Sequence, residues 1–213
     1  MPFNFEFFFQ SLENKQAKPD MVSSTIELMI KKEDFSKLEN VCTEGAKANR
    51  QFQLKIRDML QLESVPHDVL QNFNLDPKLK QHLMFHTIVL SKIAKNCSDL
   101  TSLFEQLKIE DYEYLRPQRC MEHLVTNEES AQKLIDKVNE LKDSRTATNS
   151  FILLVKQELD SSALQLYKDF DNSLDSKIIL NSIKVTEKGK LNTETKTKME
   201  NFVKRHGLNI ALT

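Results

Sequence analysis

The chain is predicted to be all-α, an irregular bundle of about eight to ten helices in one domain. Three observations predict this. The 213 residues include only 3 Gly and 5 Pro, and a sheet protein of that size needs many tight turns built from those two residues. Apolar residues recur at spacings of three and four along most of the chain. The alternation of strand and helix that marks a parallel sheet is absent. Hydrophobic residues at 39% and charged residues at 29% suit a folded core rather than a disordered chain.

Phe3, Phe5, Phe7, Phe8 and Phe9 crowd the start of the chain. Phe5, Phe8, Phe9 and Leu12 fall on one helical face, so the segment is expected to be a helix. Ser24 with Glu27 forms a capping box before the apolar stretch Ile26, Leu28, Met29 and Ile30. A single long helix is expected over 34–62, on the stripe Phe35, Leu38, Val41, Gly45, Ala48, Phe52, Ile56 and Met59. The small residues Gly45, Ala46 and Ala48 would let a neighbouring helix come close.

Pro66 opens a short turn or helix. Asp76 before Pro77 is a strong start signal, an acid cap followed by proline at the first helical position. That helix is expected to run through 76–96. Ser98 is the expected cap of the next, and residues 110–115 are helical or irregular before the turn at Pro117. Thr126 with Glu129 is a second capping box, ahead of Ala131, Leu134, Ile135, Val138 and Leu141. Residues 143–150 carry Ala147 as their one apolar anchor, so a soft break is expected there. Helices follow at 151–170 and 174–185, then a loop at 186–192 around Gly189. The last helix, 193–206, ends at Gly207, where a left-handed backbone is tolerated.

Several function classes are excluded. A formal net charge of −1 provides no general field for nucleic acid. With so few glycines there is no phosphate-binding loop, no dinucleotide fingerprint and no nucleophile elbow. Asp169, Asp171, Asn172 and Asp175 resemble the start of a calcium loop, but the required Gly is missing. Cys42, Cys97 and Cys120 form an odd, sparse set, which points to free thiols in a reducing, cytoplasmic setting. No apolar run reaches the ~20 residues of a membrane span.

Four groups remain as candidates. His82 and His86 are four apart, and Cys120 and His123 three apart. On helices each pair would share a face, and the four together would suit a tetrahedral zinc; no other cofactor is expected. Cys120 also follows Arg119 in the first turn of an expected helix, a setting that favours thiolate, with His123 as its base in a cysteine enzyme. Phe5, Phe8, Phe9 and Phe52 are the expected partner-binding residues of a non-enzymatic interaction module or adaptor. Lys196, Lys198, Lys204 and Arg205 make the last helix basic, which suits an acidic partner or an anionic membrane surface.

The end of the chain is a polar helix followed by Leu208-Asn209-Ile210-Ala211-Leu212-Thr213. It resembles the export tails of bacterial type IV secreted effectors. The resemblance covers those few residues and implies delivery into a host cytosol and action on host proteins.

Overall fold

The computed structural model describes residues 5–170, 173–184, 193–210 and 212. Phe3, Asp171, Asn172, Ala211, Thr213 and the expected loop 186–192 lie outside the described residues. Among the described residues there are fourteen α-helices, one 3-10 segment and no strand. The all-α expectation holds. The helices outnumber the expected eight to ten because three long predicted helices are each broken in two. The chain gathers into two compact units, Met1–Lys92 and Ile93–Thr213.

The first unit is built on α1 (Phe5–Glu13), α2 (Pro19–Lys31), α3 (Phe35–Ala48), α4 (Arg50–Leu60), α5 (His67–Gln71) and α6 (Pro77–His82). The division between the units falls within α7 (Phe85–Lys95). The second helix starts at Pro19 rather than at Ser24, whose hydroxyl donates back to the Asp20 carbonyl at 3.0 Å from inside the helix. Helices α2, α3 and α4 pack against one another, and α1 leans on α2 and α3. Val22, Ile26, Leu38, Val41, Ala46, Ile56 and Leu60 fill the space between them.

The expected helix 34–62 is two helices. Asn49 takes an extended backbone, φ −169° and ψ 170°, and its side chain accepts from the Phe52 N–H at 3.0 Å. A capping side chain restarts the helix there, because asparagine offers the first turn an acceptor that the preceding backbone does not. The expected helix 76–96 breaks likewise. Asp76 caps Leu79 N at 3.0 Å as predicted, but Met84 adopts φ 52°, a left-handed conformation that ends α6.

Gly45 lies where α3 meets α4. A Cβ at that position would sit 3.0 Å from Ile56 Cδ1 and 3.9 Å from Val22 Cγ1. Ile56 Cδ1 is the flexible end of its side chain, so alanine is expected to be near neutral, its better helix propensity, worth ~1 kcal/mol, offsetting a small displacement. Leucine is expected to overpack the contact and cost about 1–3 kcal/mol. Urea denaturation of the two variants checks this, and a leucine variant as stable as the parent would show that the helices are not close there.

The second unit contains α8 (Leu100–Gln106), the 3-10 segment Ile109–Tyr114, α9 (Pro117–Cys120), α10 (Glu128–Leu141), α11 (Ser144–Lys156), α12 (Asp160–Asp169), α13 (Ser176–Lys184) and α14 (Thr193–His206). Caps fall one residue beyond the predicted ones. Asp99, not Ser98, accepts from Ser102 N at 2.8 Å, and Asn127, not Thr126, accepts from Ser130 N at 2.9 Å. Gly207 ends α14 with φ 62°, as expected.

The centre of this unit is α11, which packs against α9, α10, α12, α13 and α14. Its residues 146–155 are all buried. The expected break at 143–150 is therefore the first half of the hub helix. Thr148 and Asn149, two of the buried polar residues in it, are hydrogen-bonded within the unit. Thr148 Oγ1 donates to the Ser144 carbonyl at 2.7 Å and accepts from Asp175 N at 2.8 Å. Asn149 Nδ2 donates to the Arg145 carbonyl at 2.8 Å. Small polar side chains bonded in this way are tolerated in a core and admit neighbours on every side. The true break falls later, at Gln157 to Leu159, where Glu158 has φ 59° and divides the expected helix 151–170 into α11 and α12.

Candidate functional site

The histidine and cysteine set belongs to both units, and its helical premise does not hold. His82 ends α6 and His86 follows Phe85 at the start of α7, with left-handed Met84 between them. Four residues of sequence thus do not put the two imidazoles on one helical face. His82 Nδ1 lies 3.4 Å from Gln53 Nε2, and the His86 ring packs edge-on to Phe85 with centroids 6.4 Å apart.

Cys120 closes the four-residue α9, and His123 lies in the turn beyond it. Cys120 is 2% exposed, closed to a substrate. His123 Nε2 sits 3.0 Å from the Ala94 carbonyl, an oxygen that only accepts, so this nitrogen carries a proton and donates it there. Among the described residues, no group of three or more His, Cys, Asp or Glu side chains is arranged to hold a metal ion. Cys42 and Cys97 are buried free thiols as well. Burial, aided by the Glu39 charge, pushes the Cys42 thiol far above its ordinary range, so it stays protonated and inert.

The aromatic set divides. Phe8 and Phe52 are core residues, 0% and 3% exposed, and cannot touch a partner. Phe5 and Phe9 are half-buried and meet edge-to-face with ring centroids 4.8 Å apart. The exposed phenylalanine of α1 is Phe7, at 58%, which the expected set did not include. The signal that marks it was in the sequence: Phe7 is the phenylalanine left off the face shared by Phe5, Phe8, Phe9 and Leu12.

The basic residues of α14 are largely engaged. Lys196 pairs with Glu200 at 3.6 Å and Arg205 with Asp160 at 2.8 Å. Lys198 reaches Glu194 at 3.3 Å and donates to the Lys156 carbonyl at 2.8 Å. Lys204 is exposed. Such surface pairs contribute little stability each, ~0–1 kcal/mol, but they neutralise the charge that an anionic surface would need.

A groove of 420 Å³ lies in the second unit along Thr101, Phe104, Lys133, Asp136, Lys137 and Glu140. A hydrogen bond to Glu140 is the main cause that raises the Lys137 ammonium above its ordinary range, and the same ammonium stands 5.3 Å from the Tyr112 ring. The groove is walled by charges of both signs that already answer one another. Among the described residues no helix is long and apolar enough to cross a membrane. Protein-family models, curated proteins and solved structures yield no match to this chain, so what it does must be argued from its own residues.

Proposed function

We propose that the chain is a non-enzymatic helical interaction module, an adaptor that offers a helix face to another protein. The observation that supports this reading is Phe7 on α1. Its ring is 58% exposed, and half-buried Phe5 and Phe9 stand on the same short helix. Transfer of such a ring from water to an apolar partner surface is worth about 1.5–3 kcal/mol, and aromatic residues are the usual anchors of protein interfaces. The three buried thiols favour the same reading over a cysteine enzyme.

The test is covalent capture in the cells that make the protein. A photo-crosslinking phenylalanine analogue at position 7 is expected to give one adduct of defined mass. The same analogue at Lys78, an exposed position on α6, is expected to give none. No adduct at position 7, or the same adducts at both positions, would sink the reading.

A further inference from the structure

The 3-10 segment Ile109–Tyr114 of the second unit carries an apolar row that runs out into solvent. Side chains three apart eclipse one another in a 3-10 helix, so Ile109, Tyr112 and Leu115 fall in one row. The Leu115 N–H donates to the Tyr112 carbonyl at 3.2 Å, which carries this register to the end of the segment. The inner part of the row is core, with Tyr112 and Leu115 at 7% and 2% exposed. The Tyr112 ring lies 6.4 Å from the Phe104 ring of α8 and 5.3 Å from the Lys137 ammonium of α10, centroid distances both. Ile109, in the same row, is 88% exposed, the most exposed large apolar side chain among the described residues. It keeps the register of a core residue and is left uncovered.

The segment that presents it is fixed. Asp111 Oδ2 accepts from the Lys108 N–H at 2.8 Å, which caps its start, and Tyr112 anchors its middle. A contact made by a side chain on a backbone already ordered costs little further entropy. A second row runs beside the first. Glu110 and Glu113 are also three apart, both exposed, and neither enters an ion pair among the described residues. Residues 105–113 hold four carboxylates and one lysine in a chain whose net charge is −1.

We propose that this edge, Ile109 with Glu110 and Glu113, is a docking surface for a basic segment of a partner protein that carries a large apolar side chain. The charges select this occupant. A wholly apolar partner would strip water from the two carboxylates and give them nothing in return. An anionic surface would be repelled. A second copy packed on the same edge by a two-fold axis would bring like carboxylates together. Lysine or arginine beside an apolar residue answers the acidic row while it covers Ile109. The surface lies in the second unit and stands or falls independently of Phe7.

The probe is a random dodecapeptide library displayed on phage and selected on the immobilised full-length protein, with counter-selection on Ile109→Ser. The peptides retained are expected to join lysine or arginine to a large apolar residue. Binding of the selected peptides is then measured by fluorescence anisotropy. Ile109→Ser is expected to weaken it about tenfold or more, the loss of one buried aliphatic anchor. Glu110→Gln with Glu113→Gln is expected to weaken it about threefold or more and to flatten its dependence on salt. Leu54→Ser, at an exposed apolar position of α4, is expected to leave binding unchanged. All of these positions are exposed, so the variants are expected to melt like the parent by circular dichroism. Peptides that bind Ile109→Ser as well as the parent overturn the proposal, as do selected peptides that are neutral or acidic. A parent that sediments as a dimer while Ile109→Ser sediments as a monomer makes a second copy the occupant and overturns it too.

Discussion

Phe151→Ala is expected to destabilise the second unit by about 3–5 kcal/mol, the usual cost of emptying a buried phenylalanine site. Phe151 is 0% exposed on the helix that every longer element of the unit packs against. Its ring meets Phe202 of α14 edge-on at 5.7 Å and Tyr167 of α12 at 6.1 Å. Truncation leaves a cavity bounded by three helices, and it also removes two aromatic contacts worth about 0.5–1.5 kcal/mol each beyond area. Hub helices cannot collapse into such a void without pulling away from another neighbour, so the cost belongs at the upper end. A domain holds only ~5–15 kcal/mol in all, so the variant is expected to melt well below the parent when urea or heat is followed by circular dichroism. A loss under ~1 kcal/mol would mean that α11 is not the centre of the unit.

The hub also shows where the sequence was legible and where it was not. Helical periodicity made the fold class plain, and Asp76-Pro77 and Gly207 marked true boundaries, because a cap, a fixed φ and a left-handed stop are each properties of one residue. The hub was hidden because Thr146, Thr148, Asn149 and Ser150 look like surface. Polarity predicts exposure only where the hydrogen bonds go to water, and here Thr148 and Asn149 bond to carbonyls one turn back. Phe151, Ile152 and Val155 supply the helical spacing only from residue 151 on, so the stripe does not reach back over the polar first half of the helix.

The missed breaks have a different origin. Ala48 and Phe52 keep a spacing of four across Asn49, so the stripe continues although the helix does not. Met84 and Glu158 adopt positive φ without being glycine, so the residue that usually marks a left-handed helix end is missing from the sequence at both breaks. The helical premise of the histidine pair failed for the same reason. The histidine pair was placed by counting along a helix that breaks at Met84. The approach of α9 to α11 could not be seen, because its side-chain bond joins Gln118 and Asn149, 31 positions apart. Phe7 was passed over as well, because the expected contact set took Phe5, Phe8 and Phe9 from the shared face of α1 and left out the exposed ring beside them.

Phe8→Ala and Phe7→Ala are expected to differ by several kcal/mol although the residues are neighbours. Phe8 is fully buried and meets Phe9 edge-on at 5.5 Å, on a helix that packs against α2 and α3. Its truncation is expected to cost about 3–5 kcal/mol. Phe7 points to solvent, and a surface substitution of that kind is expected to stay within about 0.5 kcal/mol. Its backbone carbonyl accepts from Ser11 Oγ at 2.7 Å, a bond that alanine keeps. Because α1 is a short helix at the edge of the unit, part of the Phe8 cost can appear as local detachment. Amide exchange over Phe5–Glu13 should therefore be measured beside the urea midpoint. The expected pattern is fast exchange throughout α1 with a lowered midpoint for Phe8→Ala, and parental values of both for Phe7→Ala. The contrast decides what the aromatic start of the chain is for. If Phe7→Ala destabilises the protein as much as Phe8→Ala, the exposed ring belongs to the fold, and the interaction face proposed on it has lost its support. If Phe7→Ala folds like the parent while the crosslinker at position 7 captures a partner, the same short helix holds itself down with one ring and reaches outward with its neighbour.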